Sequence, residues 1–362
     1  MKTKDSININ SILMYAPNWF GDAVMSTPFI RCVKEKFPNS NLTVLAKGSV
    51  CELLSGLKYI DSYIPLQSSL LSQISAVLKV KKEKFDLAFI LPHSLRSALI
   101  TFLGGVRHRV GYSCNGRGLF LNHKVYFPKD AKGNRKVVYM TEEYLALGKD
   151  LGVEDDKLGP ELSVVYDVEK EWLEELSREE HSFPRVGIAP GSAFGPSKRW
   201  KIEKFAEVGK WIYAQYETPP VLLTAPDEIE LKRHFATICG NFVDPFAKDS
   251  SIERLKAVIK NLDILICNDS GTRHIAVAFG VPTLTIVGPT ALDYSLGPYE
   301  RGAILRARVD CAPCQLPKCP IDHRCMEVIS TGMVIEKLKG LIENREKVKV
   351  KGVEICDIIY NQ

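Results

Sequence analysis

The sequence predicts an α/β fold made of two successive parallel-sheet domains, and three observations predict it. Short apolar runs alternate with runs of helical period along most of the chain, which is the pattern of βαβ units. The alternation is interrupted once, around an acidic stretch at 169–180, and then restarts. At 362 residues the chain is long for a single core, so two domains are the natural expectation. The two series describe two Rossmann-like domains facing across a cleft, over 1–170 and 171–345, with 346–362 as a C-terminal tail.

In the first series the apolar run at 12–16 reads as a strand. A helix follows at 23–36, then a strand at 42–46, a helical stretch at 70–80 and a buried strand at 87–91. A helix at 142–151 and the polar segment 154–160 lead to the acidic helix at 169–180. The second series opens with a strand at 185–189 and a helix at 202–216. A strand at 221–224 and helices at 228–239 and 252–260 follow. The run Asp263–Cys267 is a strand that enters Asn268-Asp269-Ser270-Gly271, where another helix starts. The run beginning Val281-Pro282-Thr283 is the next strand, ending in the turn Gly288-Pro289-Thr290, and the last helix spans 333–344.

Apolar residues make up 45% of the chain and charged residues 25%, ordinary for a soluble globular protein. No apolar run reaches membrane-spanning length, and the first ten residues lack the apolar core of a signal peptide, so a cytoplasmic location is expected. The net charge of +5 is unevenly spread: residues 91–140 hold nine Lys or Arg and one acid. That bias points to an anionic partner for the first domain, whether nucleic acid, phosphorylated glycan or lipid, unless it is only a solvated basic face. Six of the ten cysteines are scattered, as buried thiols would be. Cys311, Cys314, Cys319 and Cys325 are clustered. Cys-x-x-Cys fits half a zinc site, the second pair is spaced more widely, and His323 adds a further donor, so structural thiols stand ahead of bound zinc.

Three loops of the second domain suit a nucleoside diphosphate. Ser270 is placed as a helix N-cap and Gly271 permits close backbone approach, so the first turn there can hold phosphate. Pro190-Gly191-Ser192 through Lys198-Arg199 is a Gly-containing loop ending in two cations, though it lacks the ending of a Walker loop. Glu228, at the end of the second strand, is placed either to accept from ribose hydroxyls or to complement a helix N-terminus. In the first domain, Gly21-Asp22 ends the first strand; Asp22 is either a helix-start residue or a carboxylate placed as a general base.

The segments Asn18-Trp19-Phe20-Gly21-Asp22 through Pro28, Pro190-Gly191-Ser192 with Lys198-Arg199-Trp200, Asn268-Asp269-Ser270-Gly271 with His274, and Val281-Pro282-Thr283 with Gly288-Pro289-Thr290 together resemble glycosyltransferase family 9. The resemblance runs from about Ser11 to about Leu338. It implies the GT-B fold and an inverting transfer of heptose from ADP-heptose to the lipopolysaccharide inner core. By position it makes Asp22 the general base and Lys198 the partner of the donor pyrophosphate. Glu228 would hold the ribose, Ser192, Ser270 and Gly271 would line the phosphates, and Asp269 would contact the heptose. His274 is a ligand or a packing residue. Asn18, Arg96, Arg109 and Arg117 are the candidates for the acceptor. No metal site and no divalent cofactor is implied, and Asp-x-Asp is absent from the chain. The partners implied are the donor, the inner-core acceptor and an anionic inner membrane touched from its cytoplasmic face, with no nucleic acid. Lys201 departs from the family's usual Pro. The rival readings are a family 9 transferase with another sugar nucleotide or acceptor, and a non-catalytic nucleotide-sugar or anionic-glycan binding protein.

Overall fold

A computed structural model describes residues 9–178, 183–348 and 352–359. The chain divides into two compact units, Met1–Ser163 and Val164–Gln362. Each is built around a parallel sheet of six strands.

The first unit holds β1 (Ser11–Tyr15), β2 (Asn41–Lys47), β3 (Ser62–Leu66), β4 (Leu87–Ile90), β5 (His108–Tyr112) and β6 (His123–Val125), in the order β3-β2-β1-β4-β5-β6. β1 pairs in parallel with both β2 and β4, so the chain reverses its direction of travel across the sheet between β1 and β4. The loops after these two strands therefore lie side by side at the carboxyl edge, where open α/β sheets bind ligands. One helix was expected over 23–36; the structure has two, Phe20–Met25 and Thr27–Lys36. Pro28 sits at the start of the second and cannot donate to the turn before it. The Ser26 and Thr27 hydroxyls donate instead to the Ala23 and Val24 carbonyls, at 2.7 and 2.8 Å.

The second unit holds β7 (Val186–Ala189), β8 (Val221–Leu222), β9 (Ile264–Asn268), β10 (Thr283–Val287), β11 (Gly302–Arg308) and β12 (Val353–Ile359), in the order β12-β11-β10-β9-β7-β8. Its reversal falls between β7 and β9, which pair in parallel. The acidic helix spans Tyr166–Arg178 and belongs to this unit; the last two residues expected in it lie outside the described residues. The helices Ile202–Tyr216 and Ile252–Lys260 have the bounds read from the sequence. The stretch set apart as a tail contributes β12, paired with β11 along seven residues. Trp200, Phe205 and Phe235 anchor a core continuous with Ile266, Ile286 and Leu338.

Candidate functional site

The second unit gathers its polar residues where β7, β9 and β10 end. Asn268, the last residue of β9, is fully buried and ties two loops together. Its Nδ2 donates to the Pro190 carbonyl at 2.7 Å, and its Oδ1 accepts from the Trp200 amide at 3.0 Å. The loop between these residues is thereby fixed at both ends. It carries Lys198, whose Nζ donates to Asp269 Oδ2 at 2.7 Å and to the Asp269 carbonyl at 3.1 Å. The ammonium thus sits beside the start of the helix Gly271–Ala278, adding a full charge to the positive end of that helix.

Asp269 is the hub of a buried network. Oδ2 also accepts from Thr290 Oγ1 and Oδ1 from Arg273 Nη1, each at 2.7 Å. Arg273 is completely buried and makes two further 2.7 Å bonds to Glu300. Burial alone would raise the Asp269 carboxyl, but Arg273, then Lys198 and the Thr290 hydroxyl, outweigh it and hold the group well below the usual carboxylate range. Asp269, expected on the sugar hydroxyls, already accepts bonds within the protein on both oxygens, one of them from Lys198.

Ser270 occupies the N-cap position, but its hydroxyl makes no capping bond; it lies 2.9 Å from Thr272 Oγ1. The expectation of a side-chain cap is corrected here, and the first helical turn keeps amides that the helix itself cannot satisfy. His274 is buried, and burial followed by the charge of Arg273 pushes its imidazole down to about 4, so the ring is neutral at pH 7.

Glu228 lies at the start of the helix Ile229–Cys239 and accepts from the Ala225 amide at 3.0 Å. It presses against Gly191, where a Cβ would stand 2.6 Å from both carboxylate oxygens. Arg199 Nη2 is 3.5 Å from Glu228 and donates to the Ser192 carbonyl at 3.1 Å. Ser192 Oγ is buried with no hydrogen-bond partner. Beside Glu228 opens a cavity of about 490 Å³ lined by Thr224, Pro226, Ile229, Asp244 and Phe246.

In the first unit, Asp22 lies in the first turn of the helix Phe20–Met25, just past the end of β1, and is half-buried. Asn18 is half-buried in the same loop, and Trp19 beside it is exposed. Arg96 is exposed in the first turn of the helix Leu95–Leu103, after β4. Its charge reaches Tyr15 at the end of β1: burial pushes that phenol up to about 12 and Arg96 partly offsets the rise. These residues share one edge of the sheet.

Two acceptor candidates do not belong there. Arg117 is completely buried, and its guanidinium donates to the carbonyls of Tyr112, Pro92 and Ile90, tying the ends of β4 and β5. Arg109 lies near the amino end of β5, with its guanidinium bonded to the Phe120 and Val106 carbonyls and set over the Phe102 ring. Sequence reasoning passed over His93, in the loop after β4. It stands 3.1 Å from the buried Glu143 carboxylate without the alignment of a hydrogen bond, and Arg135 bonds the other oxygen at 2.6 Å. Its Pro92-His93-Ser94 setting at a strand end was the available signal.

The family model of glycosyltransferase family 9 (heptosyltransferase) matches residues 75–324 of the chain. The chain belongs to glycosyltransferase family 9. It is 28% identical to lipooligosaccharide heptosyltransferase 2 of Haemophilus influenzae over 351 residues, 92% of this chain and 99% of that one. It is 25% identical to lipopolysaccharide heptosyltransferase 2 of Escherichia coli over 314 residues, 82% and 87% of the two chains. Its fold matches the solved structure of E. coli ADP-heptose lipopolysaccharide heptosyltransferase II with a TM-score of 0.76 at 24% identity, covering 93% of this chain and 99% of that one. The α/β architecture expected of the family, GT-B, is the one present.

Proposed function

We propose that this family 9 protein transfers heptose from ADP-heptose to the inner core of lipopolysaccharide, with inversion, in the manner of its heptosyltransferase 2 relatives. The observation that carries the reading is the Lys198–Asp269–Arg273–Glu300 chain, which fixes one ammonium at the positive end of a helix. That is a site for a departing diphosphate. The nucleoside enters the cavity beside Glu228, whose carboxylate accepts from the ribose. The phosphates meet Lys198, the orphaned Ser192 hydroxyl and the backbone at Ser270 and Gly271.

In the transfer, Asp22 takes the proton of the acceptor hydroxyl as its oxygen forms the new bond to the anomeric carbon. The bond from that carbon to the phosphate oxygen breaks, its electron pair leaves with ADP, and Lys198 and the helix N-terminus stabilise the charge that develops. Arg96 and Asn18, on the same sheet edge as Asp22, receive the anionic core. Among the described residues no helix is long and apolar enough to cross a membrane. The helix Leu70–Glu83 exposes Leu71, Ile74 and Leu78 beside Lys79, Lys81 and Lys82, which supports peripheral contact with an anionic membrane from its cytoplasmic face.

The test is incubation of the protein with ADP-heptose and lipopolysaccharide cores truncated after the first heptose, with products weighed by mass spectrometry. One added heptose on that core is the expected outcome. Transfer only onto a core lacking heptose altogether, or none onto any core, would overturn the assignment.

A further inference from the structure

The carboxyl edge of the first sheet exposes a tryptophan three residues before Asp22. Trp19 is 55% exposed, although an indole is among the side chains that gain most from burial. A lone exposed aromatic is ordinary on a protein surface, so its surroundings have to decide what it is for. It occupies the N-cap position of the helix Phe20–Met25, with extended backbone, and its side chain makes no capping bond. Among the described residues its indole N–H has no acceptor. The side chain therefore contributes little to the fold, and its ring and its N–H both face solvent.

Strand order decides what lies on either side. β1 runs between β2 and β4, so the loop that carries Trp19 leaves the sheet between the ends of those two strands. Lys47 is the last residue of β2 and is exposed. Its Nζ stands 6.0 Å from the centre of the Trp19 ring, at the outer limit of a cation–π contact. Arg96 is exposed on the other side, in the first turn of the helix after β4. Among the described residues neither cation is paired with a carboxylate. Neighbouring strands lie about 4.8 Å apart, so the ends of β2 and β4 are separated by roughly 10 Å, a span that one substituted sugar ring bridges. An aromatic face between two cations that no acid neutralises has a definite chemical complement. The C–H face of a sugar packs against the indole, a sugar hydroxyl accepts from its N–H, and anionic substituents meet the cations.

We infer that Trp19 and Lys47 form a subsite for an anionic sugar of the acceptor, the indole carrying the ring and Lys47 binding a phosphate or carboxylate that the sugar bears. The inference rests on the reading of the first unit as the acceptor-binding half and deepens it. Trp19 and Asp22 stand one helical turn apart, so a sugar held on the indole is within about a turn's length of the proposed base. Trp19 supplies affinity and orientation and takes no part in the proton transfer. Arg96, across β1 from Lys47, meets the anionic core from the opposite side.

The experiment uses the full chain and a deacylated core oligosaccharide ending in the first heptose, without donor, so that binding is read apart from transfer. Trp19 is the one tryptophan of the first unit; Trp172, Trp200 and Trp211 belong to the second. Core binding should therefore shield wild-type emission from acrylamide, and Trp19→Phe should abolish that change. In calorimetry Trp19→Ala should bind the core about tenfold more weakly or worse, with a smaller loss for Trp19→Phe, which keeps an aromatic face. Affinity for ADP in both variants reports that the chain is folded. Lys47→Met should lose about two- to fivefold, a loss that shrinks as salt is raised. If the Lys47 effect disappears with a phosphatase-treated core, the bound group is phosphate; if it survives treatment, the group is the sugar's carboxylate. Equal core affinity in wild type and Trp19→Ala, or shielding retained by Trp19→Phe, overturns the platform, and unchanged affinity in Lys47→Met overturns the anionic half. Core binding through Trp19 by a protein that transfers no heptose upholds the subsite and refutes the transfer reading. A wild-type protein that binds no core overturns both.

Discussion

Replacing Arg273 with Met should destabilise the second unit and weaken donor binding together. The guanidinium is completely buried and makes three 2.7 Å bonds, two to Glu300 and one to Asp269. Burial would lower its pKa, but Glu300 and Asp269 raise it above the ordinary arginine value, so it is a fixed cation between two carboxylates. Removing it strips Glu300, itself 2% exposed, of its two guanidinium bonds, with the Thr283 hydroxyl still donating to its carboxylate at 3.2 Å. Breaking one side of a buried pair costs about 3–5 kcal/mol. In a unit of this size that lowers the thermal midpoint by about 6–20 °C. Three of the four tryptophans, Trp172, Trp200 and Trp211, lie in this unit, so fluorescence during urea unfolding reports on it. Removing both charges in Arg273→Met/Glu300→Leu should recover about 2 kcal/mol or more of the single variant's loss, the sign of strong coupling. A loss below about 1 kcal/mol for Arg273→Met, or strict additivity in the double variant, would refute the network as drawn.

Lys198→Ala should weaken ADP far more than adenosine in calorimetry, and equal losses would place the ammonium away from the phosphates. Gly191→Ala puts a Cβ 2.6 Å from the Glu228 oxygens; because that carboxylate ends a flexible side chain, it should swing aside. ADP affinity should then fall about tenfold or more while stability changes little, and a lowered midpoint with unchanged affinity would mean that Glu228 is only structural. His274 carries a folded pKa of about 4, against 6.5 for the ordinary imidazole. Below 6.5 the unfolded chain binds a proton that the folded one refuses, so its contribution falls as pH drops from 6.5 to about 4, by about 3 kcal/mol in all, and then levels. His274→Gln should flatten that part of the pH–stability curve; an unchanged slope would show that other groups set it.

Much of this was legible in the chain because it is local. The helix Ile252–Lys260 was readable from its apolar spacing, and the loop sequences at Gly191 and Asn268 fall at strand ends as expected. β12 was missed because a run with most of its side chains exposed, following basic residues, carries no signal of core. The helix break at Ser26 is legible in Pro28, which cannot donate to the turn before it. The site's chemistry was harder. Lys198 and Asp269 are 71 residues apart and Arg273 and Glu300 are 27 apart, so no spacing reveals that they touch. Basic residues in 91–140 read from the sequence as one surface for an anionic partner, but a charge in a sequence does not say which way it faces. Arg117 is an internal tie between strand ends, whereas Arg96 is exposed and beside the β1 edge.

The proposed general-base role of Asp22 is tested most directly by one pair of measurements on Asp22→Asn. Transfer from ADP-heptose to the truncated core should fall in kcat by roughly 10²–10⁴, the usual worth of a general base, while calorimetric affinity for ADP stays within about twofold. Wild-type turnover in that variant would make Asp22 a helix-start residue and contradict the mechanism.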